Sequence, residues 1–332
     1  MIELLNNRLT FRFPEVHQKA GCHIDFQRTL RIPDDNREYP LPPGLGHFPV
    51  KHVDDFADKL PEAWRTHGGV FVPMYQSEAL WINFGGDYPC AVKIAAGKIN
   101  AVSGETWSKG LSDDPQDYAV IPDQPWLDGF NVSEDYIRQF VAMPLGEGYS
   151  AEEQITGKAE HGGLQVVVYP MKHDLYVERF EQVVETEMSY LEVPAYCHMA
   201  CESAAPDMGL APGGLMRQEI YEDEYGIDAW DLDNGYRCFI HLANSEQYQA
   251  ITGHPPPHKP VTAKDYTNAG LPWFDYYDDG KALPGAGTLS SLTSVAAKMV
   301  EKGKGLLPGN DPVQPKISKI ISESNEVRDG KF

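Results

Sequence analysis

One spacing constrains this chain more than any other feature. Trp81 and Trp230, Tyr88 and Tyr236, Cys90 and Cys238, Ala95 and Ala243, Gly104 and Gly253, Asp117-Tyr118 and Asp265-Tyr266, and Pro125-Trp126 and Pro272-Trp273 all recur at an offset of 147–149 positions. A constant offset shared by so many residue types is the mark of internal repetition. It predicts an α+β, β-rich fold of two internally duplicated units with a pseudo-twofold relation and short helices. The first unit spans 1–150 with a repeat core at 68–130, the second spans 151–302 with a core at 213–277, and a polar C-terminal tail covers 303–332. The chain, at 332 residues, is long enough for two such cores.

Inside the repeat, Cys90–Ala95 and Cys238–Ala243 place apolar residues at every second position, with Lys93 and His241 on the other face. That is the pattern of a half-buried strand. Gly85-Gly86-Asp87 and Asp233-Asn234-Gly235 precede them with residues that tolerate a positive φ, so hairpins are expected. Further strands are expected at Leu9–Phe13 and Leu164–Tyr169. Helices are expected over 54–64, where Pro61 interrupts, over 179–190, over 245–251 with Gly253 as the stop, and over 290–302. Pro33 to Pro49 reads as an ordered arm, because proline has no amide for a sheet ladder, and a short tail segment around 317–321 could dock.

A formal charge of -21, from 49 acids against 28 bases, disfavours nucleic acid and anionic membranes as partners, because both require a basic surface. Apolar runs such as Leu164–Tyr169 fall far short of the roughly 20 residues that span a bilayer. Met1–Arg8 lacks a basic segment followed by an apolar one, so cytoplasmic residence is expected. Five cysteines without a C-x-x-C pair fit reduced thiols better than a disulfide framework.

Candidate chemistry is sparse. Asp128 and Asp275 each follow a repeated Pro-Trp by two residues; a carboxylate desolvated beside indole can gain a raised pKa and serve as an acid or base, or it can cap a turn. Arg138 could bind an anion or pair with an aspartate. The acid-rich stretch Glu219–Asp233, with Asp228, Asp231 and Asp233, offers hard oxygens for calcium, although the EF-hand spacing fails and a solvated rim is the alternative. Cys197, His198 and Cys201 offer soft ligands for a metal, without an adjacent fourth. No nucleophile elbow or phosphate-cradling loop is present, and no cofactor is predicted.

Three strings, Arg28–Asp35, Pro125–Gly129 with Arg138–Gly146, and Gly270–Asp275, resemble an uncharacterised family of bacterial and fungal hypothetical proteins, over most of the chain up to about Val295. Some members carry the label "integral membrane protein", which the apolar runs here do not support, and the resemblance implies no activity and no site residues. The functional expectation is a non-enzymatic binding or self-assembling protein, a homo-oligomer presenting similar surfaces from each half. The alternative is a hydrolase-like enzyme with a carboxylate or metal site at the junction of the halves, built from Asp128, Asp275 and Arg138.

Overall fold

In the computed structural model, which describes residues 1–180, 207–276, 281–316 and 318–321, the strands assemble into two large sheets and one small one. The first sheet has 10 strands, and its main path runs Ile2–Leu5, Arg8–Arg12, Gly21–Thr29, Ala79–Gly85, Tyr136–Pro144, Met208–Arg217, Glu38–Tyr39. The second has 7 and runs Ile99–Asn100, Cys90–Ala96, Leu164–Pro170, Tyr236–Ala243, Val70–Pro73, Lys51–His52, with Ala119–Ile121 beside Cys90–Ala96. One continuous apolar core joins them: Phe11, Ile24, Ile82 and Phe140 from the first sheet pack with Val92, Ile94, Val166 and Ile240 from the second. The protein is therefore mixed and β-rich with short helices, as its alternating runs predict.

The chain crosses between sheets repeatedly. Ala79–Gly85 lies in the first and Cys90–Ala96 in the second; the same holds for Tyr136–Pro144 then Leu164–Pro170, and Met208–Arg217 then Tyr236–Ala243. The expected hairpins do not form: the turn before Cys90 carries the chain from the first sheet to the second, while the turn before Tyr236 follows a segment, Ala229–Asp231, that already pairs with Pro170–Lys172 at the end of a second-sheet strand. Leu164–Pro170 lies between Cys90–Ala96 and Tyr236–Ala243, antiparallel to both, with Val166 opposite Ile94 and Cys238. Other repeat anchors occupy unlike surroundings. Trp81 is in a strand while Trp230 closes a 3-10 turn, and Asp117 is in a loop while Asp265 is in helix Ala263–Asn268. Gly69 precedes a strand, whereas Gly213-Gly214 lie inside one.

Both "open" strand faces are covered. Every residue of Cys90–Ala96 is buried, Lys93 included. His241 stacks on Trp64 at 4.7 Å, with its Nε2 3.0 Å from the Gly68 carbonyl. Burial pushes the imidazole down to about 4, against the pull of the Gly68 carbonyl. The folded ring is neutral, so the unfolded chain takes up the extra proton as pH falls through the interval from 6.5 to about 4, and stability is lost on that descent. His241→Gln is expected to remove a stability loss of about 3 kcal/mol between roughly pH 7 and pH 4, read by urea unfolding at both pH values. An unchanged acid slope would show that the ring does not titrate in this way.

The helices fall near their signals. Asp54–Lys59 and Glu62–His67 are separate, broken at Pro61, and Ser245–Thr252 is capped by Asn244 and ended by Gly253 at φ +79. The expected helix over 290–302 is two, Gly287–Ser290 and Val295–Glu301, the second capped by the Ser294 hydroxyl. His173–Phe180 is helical, and the rest of the expected 179–190 helix lies outside the described residues. The tail segment Ser318–Ile321 docks as a strand parallel to Trp273–Tyr276. No helix among the described residues is long and apolar enough to cross a membrane.

Candidate functional site

Buried side-chain amides build the site. Primary amides carry both a donor and acceptors, so a glutamine can stand in for a peptide neighbour where a strand leaves its ladder. Gln116 does so: its Nε2 donates to the Tyr118 and Tyr221 carbonyls at 2.8 and 3.1 Å, and its Oε1 accepts from Asp223 N at 2.9 Å. Gln124 donates to the Trp126 and Glu219 carbonyls and accepts from Tyr221 N. Gln218 accepts from Asp128 N and donates to the Trp126 carbonyl. Together they fasten the acid-rich stretch beginning at Glu219 to the 116–128 segment.

Behind this seam sits a buried cation. Lys93 Nζ lies 2.5 Å from Asp117 Oδ2 and donates to the Ser108 and Gly110 carbonyls at 3.0 and 2.8 Å and to Ser108 Oγ at 3.1 Å. An ammonium with all its protons engaged can stay charged in the interior, and here it shapes the 108–117 loop. Asn100 completes that loop by accepting from Val102 N and Ser103 N and donating to the Asp117 carbonyl.

Between this loop, residues 222–227 and the strap 283–286 opens a cleft of about 470 Å³. The strap is tied in by Leu283 N to the Ile220 carbonyl and Ala286 N to the Asn131 carbonyl, while Asn131 Nδ2 donates back to the Pro284 carbonyl. Asp113, Asp114, Glu222 and Asp223 line it, alongside Val102, Ile227 and Leu283. Asp223 is fully engaged, accepting from Tyr118 OH at 2.6 Å, Trp230 Nε1 at 2.8 Å and Tyr225 N at 2.8 Å. Burial, then the Asp223 carboxylate, raises the Tyr118 phenol above its ordinary range, so it remains a hydrogen-bond donor. Glu222 pairs with Lys281 at 2.6 Å, while Asp113 and Asp114 are exposed at the rim.

The residues singled out in sequence fall elsewhere or serve the scaffold. Asp128 is 0% exposed, and neither carboxylate oxygen reaches a partner in hydrogen-bond geometry. Burial pushes its carboxyl up to about 8, with the Trp126 indole pulling the other way. Asp275 is half-buried in the small sheet, where it pairs with Ile320, whereas Asp128 lies between two strands of the first sheet. Arg138 faces Asp34 at 3.7 Å and donates to the Gly213 carbonyl at 3.0 Å, so its aspartate partner is not Asp128. Asp231 accepts from Asp233 N and Asn234 Nδ2 in its own turn, and Asp228 and Asp233 are exposed. Among the described residues no group of three or more His, Cys, Asp or Glu is placed to hold a metal ion. Cys197, His198 and Cys201 lie outside the described residues. Cys22, Cys90 and Cys238 are free and buried.

Fold and cleft together define a β-rich protein of two packed sheets with an acid-rimmed cleft. Compared with protein-family models, curated proteins and solved structures, the chain finds no match in any of the three.

Proposed function

We propose that the chain is a non-enzymatic binding protein whose ligand is a small molecule or side chain bearing positive charge, held in the cleft between 102–118, 222–227 and 283–286. The observation that carries this reading is the cleft's construction: segments distant in sequence are tied around an open space of ligand size, with carboxylates at the rim and apolar side chains in the wall. Tyr118 and Asp223 are locked to each other, which suits recognition through fixed dipoles better than proton transfer. On this reading the shared offset of the anchor residues reflects an ancestral duplication whose copies diverged into one jointly built sandwich. The hydrolase-like alternative would need Asp128, Asp275 and Arg138 to converge, and their interactions lie with different neighbours.

Isothermal titration with a linear polyamine and with an uncharged analogue of equal length tests the proposal. The polyamine is expected to bind, more weakly as salt rises, and Asp113→Asn with Asp114→Asn is expected to weaken it at least about tenfold. Equal binding of the uncharged analogue, or no heat from either, would sink it.

A further inference from the structure

The outer face of the second sheet carries a stacked row of aromatic and cationic side chains that do not line the cleft. Arg237 places its guanidinium 5.2 Å from the Trp107 ring and 5.9 Å from the Phe239 ring, and Lys93 supports Trp107 at 5.1 Å. His67 meets Phe239 edge-on at 4.7 Å. Arg237 and His67 are exposed, while Trp107 and Phe239 are half-buried. Lys98 and Lys158, which share the single carboxylate of Glu160, border the row through His161, whose ring is 6.0 Å from that of His67. In a chain of charge -21 this is a local cationic surface, built from arginine and aromatic side chains of the kind enriched at protein interfaces.

The same strand begins with its complement. The turn leading into Tyr236–Ala243 presents Leu232, 43% exposed, between Asp231 and Asp233, with Asp228 exposed just before it. An apolar knob flanked by carboxylates matches an aromatic face flanked by cations in both shape class and charge.

We propose that two copies of this chain form a symmetric dimer in which the 228–233 turn of each seats on the Trp107, Arg237, Phe239 and His67 face of the other. Copies this acidic repel one another over most orientations, so a stable contact has to bring the cationic face against acid. Because turn and face adjoin along one strand, a twofold axis lets both contacts form at once, and the assembly closes as a dimer. The proposal does not depend on the cleft, since Asp228, Leu232 and Asp233 do not line it.

Sedimentation velocity over roughly 1–100 µM tests it. Wild type is expected to be a dimer that dissociates as salt rises. Arg237→Glu alone, and Asp228→Lys with Asp233→Lys, are each expected to be monomeric, and an equimolar mixture of the two to recover the dimer, which also shows both variants folded. Leu232→Ser should weaken association at least about tenfold. A wild type that is monomeric throughout, a dimer indifferent to both charge reversals, or a failure of the mixture to re-form it would overturn the proposal. A monomer that instead binds a sulfated polysaccharide through Arg237 would assign the face to a polyanion and would likewise overturn it.

Discussion

Replacing Lys93 with methionine is expected to lower the free energy of unfolding by about 3–5 kcal/mol, the cost typical of breaking one side of a buried ion pair. Both side chains are almost wholly enclosed, at 1% exposure for Lys93 and 6% for Asp117. Methionine fills a similar volume, so cavity formation is a minor part of the loss. What remains is a buried Asp117 carboxylate with the Ser112 amide as its residual donor, and two loop carbonyls, of Ser108 and Gly110, without the ammonium. Restoring charge balance with Asp117→Leu in the same chain should recover much of the stability, because a well-packed apolar pair often equals a buried ionic one. It should not restore polyamine binding, since Lys93 also holds the loop that carries Asp113 and Asp114. Urea unfolding of both single variants and the double separates these effects. Losses under about 1 kcal/mol for either single variant would mean that solvent reaches the pair.

Asp128→Asn is expected to act in the opposite direction as pH rises towards about 8. The Asp128 carboxyl, ordinarily near 3.8, sits at about 8 in the fold because burial penalises its charge. Between those values the folded protein holds a proton that the unfolded chain has released. Stability attached to this group is thus fully present below pH 3.8 and falls as pH rises towards about 8. A shift of this size corresponds to about 6 kcal/mol across the interval, an upper bound if the surroundings relax. Asparagine has no such titration, so the variant should gain on wild type as pH rises from about 5 to 8, with near-equal stability at the acid end. Parallel stability curves for the two proteins would show that Asp128 ionises freely or finds a donor on charging.

Much of the strand content was legible locally. Cys90–Ala95 reads as a strand from apolar residues at every second position and Leu164–Tyr169 from an apolar run introduced by Gly162-Gly163; both are strands, buried along their whole length. The stop at Gly253 and the break at Pro61 follow from backbone conformations those residues favour or forbid. The acid-rich stretch stands out by composition alone, and it supplies Glu222 and Asp223 to the cleft lining. Its other acids, Asp228, Asp231 and Asp233, stand on a turn without ligand geometry.

The cleft's framework was not legible. Gln116, Gln124 and Gln218 are ordinary polar residues in sequence, and their value lies in which distant carbonyls they meet. Lys93 looked like a solvent-facing strand residue because a pattern of two reports which face a side chain takes and says nothing of what lies over that face. Asp117, 24 residues on, covers it. Likewise, Gly85-Gly86-Asp87 before Cys90 carries the glycines of a reversal, but only packing settles whether the returning strand joins the same sheet or the opposite one. Short-range patterns act through local sterics and therefore survive in one dimension. Layer, partner and cleft depend on contacts across the sandwich, which arise when the two sheets close on their common core.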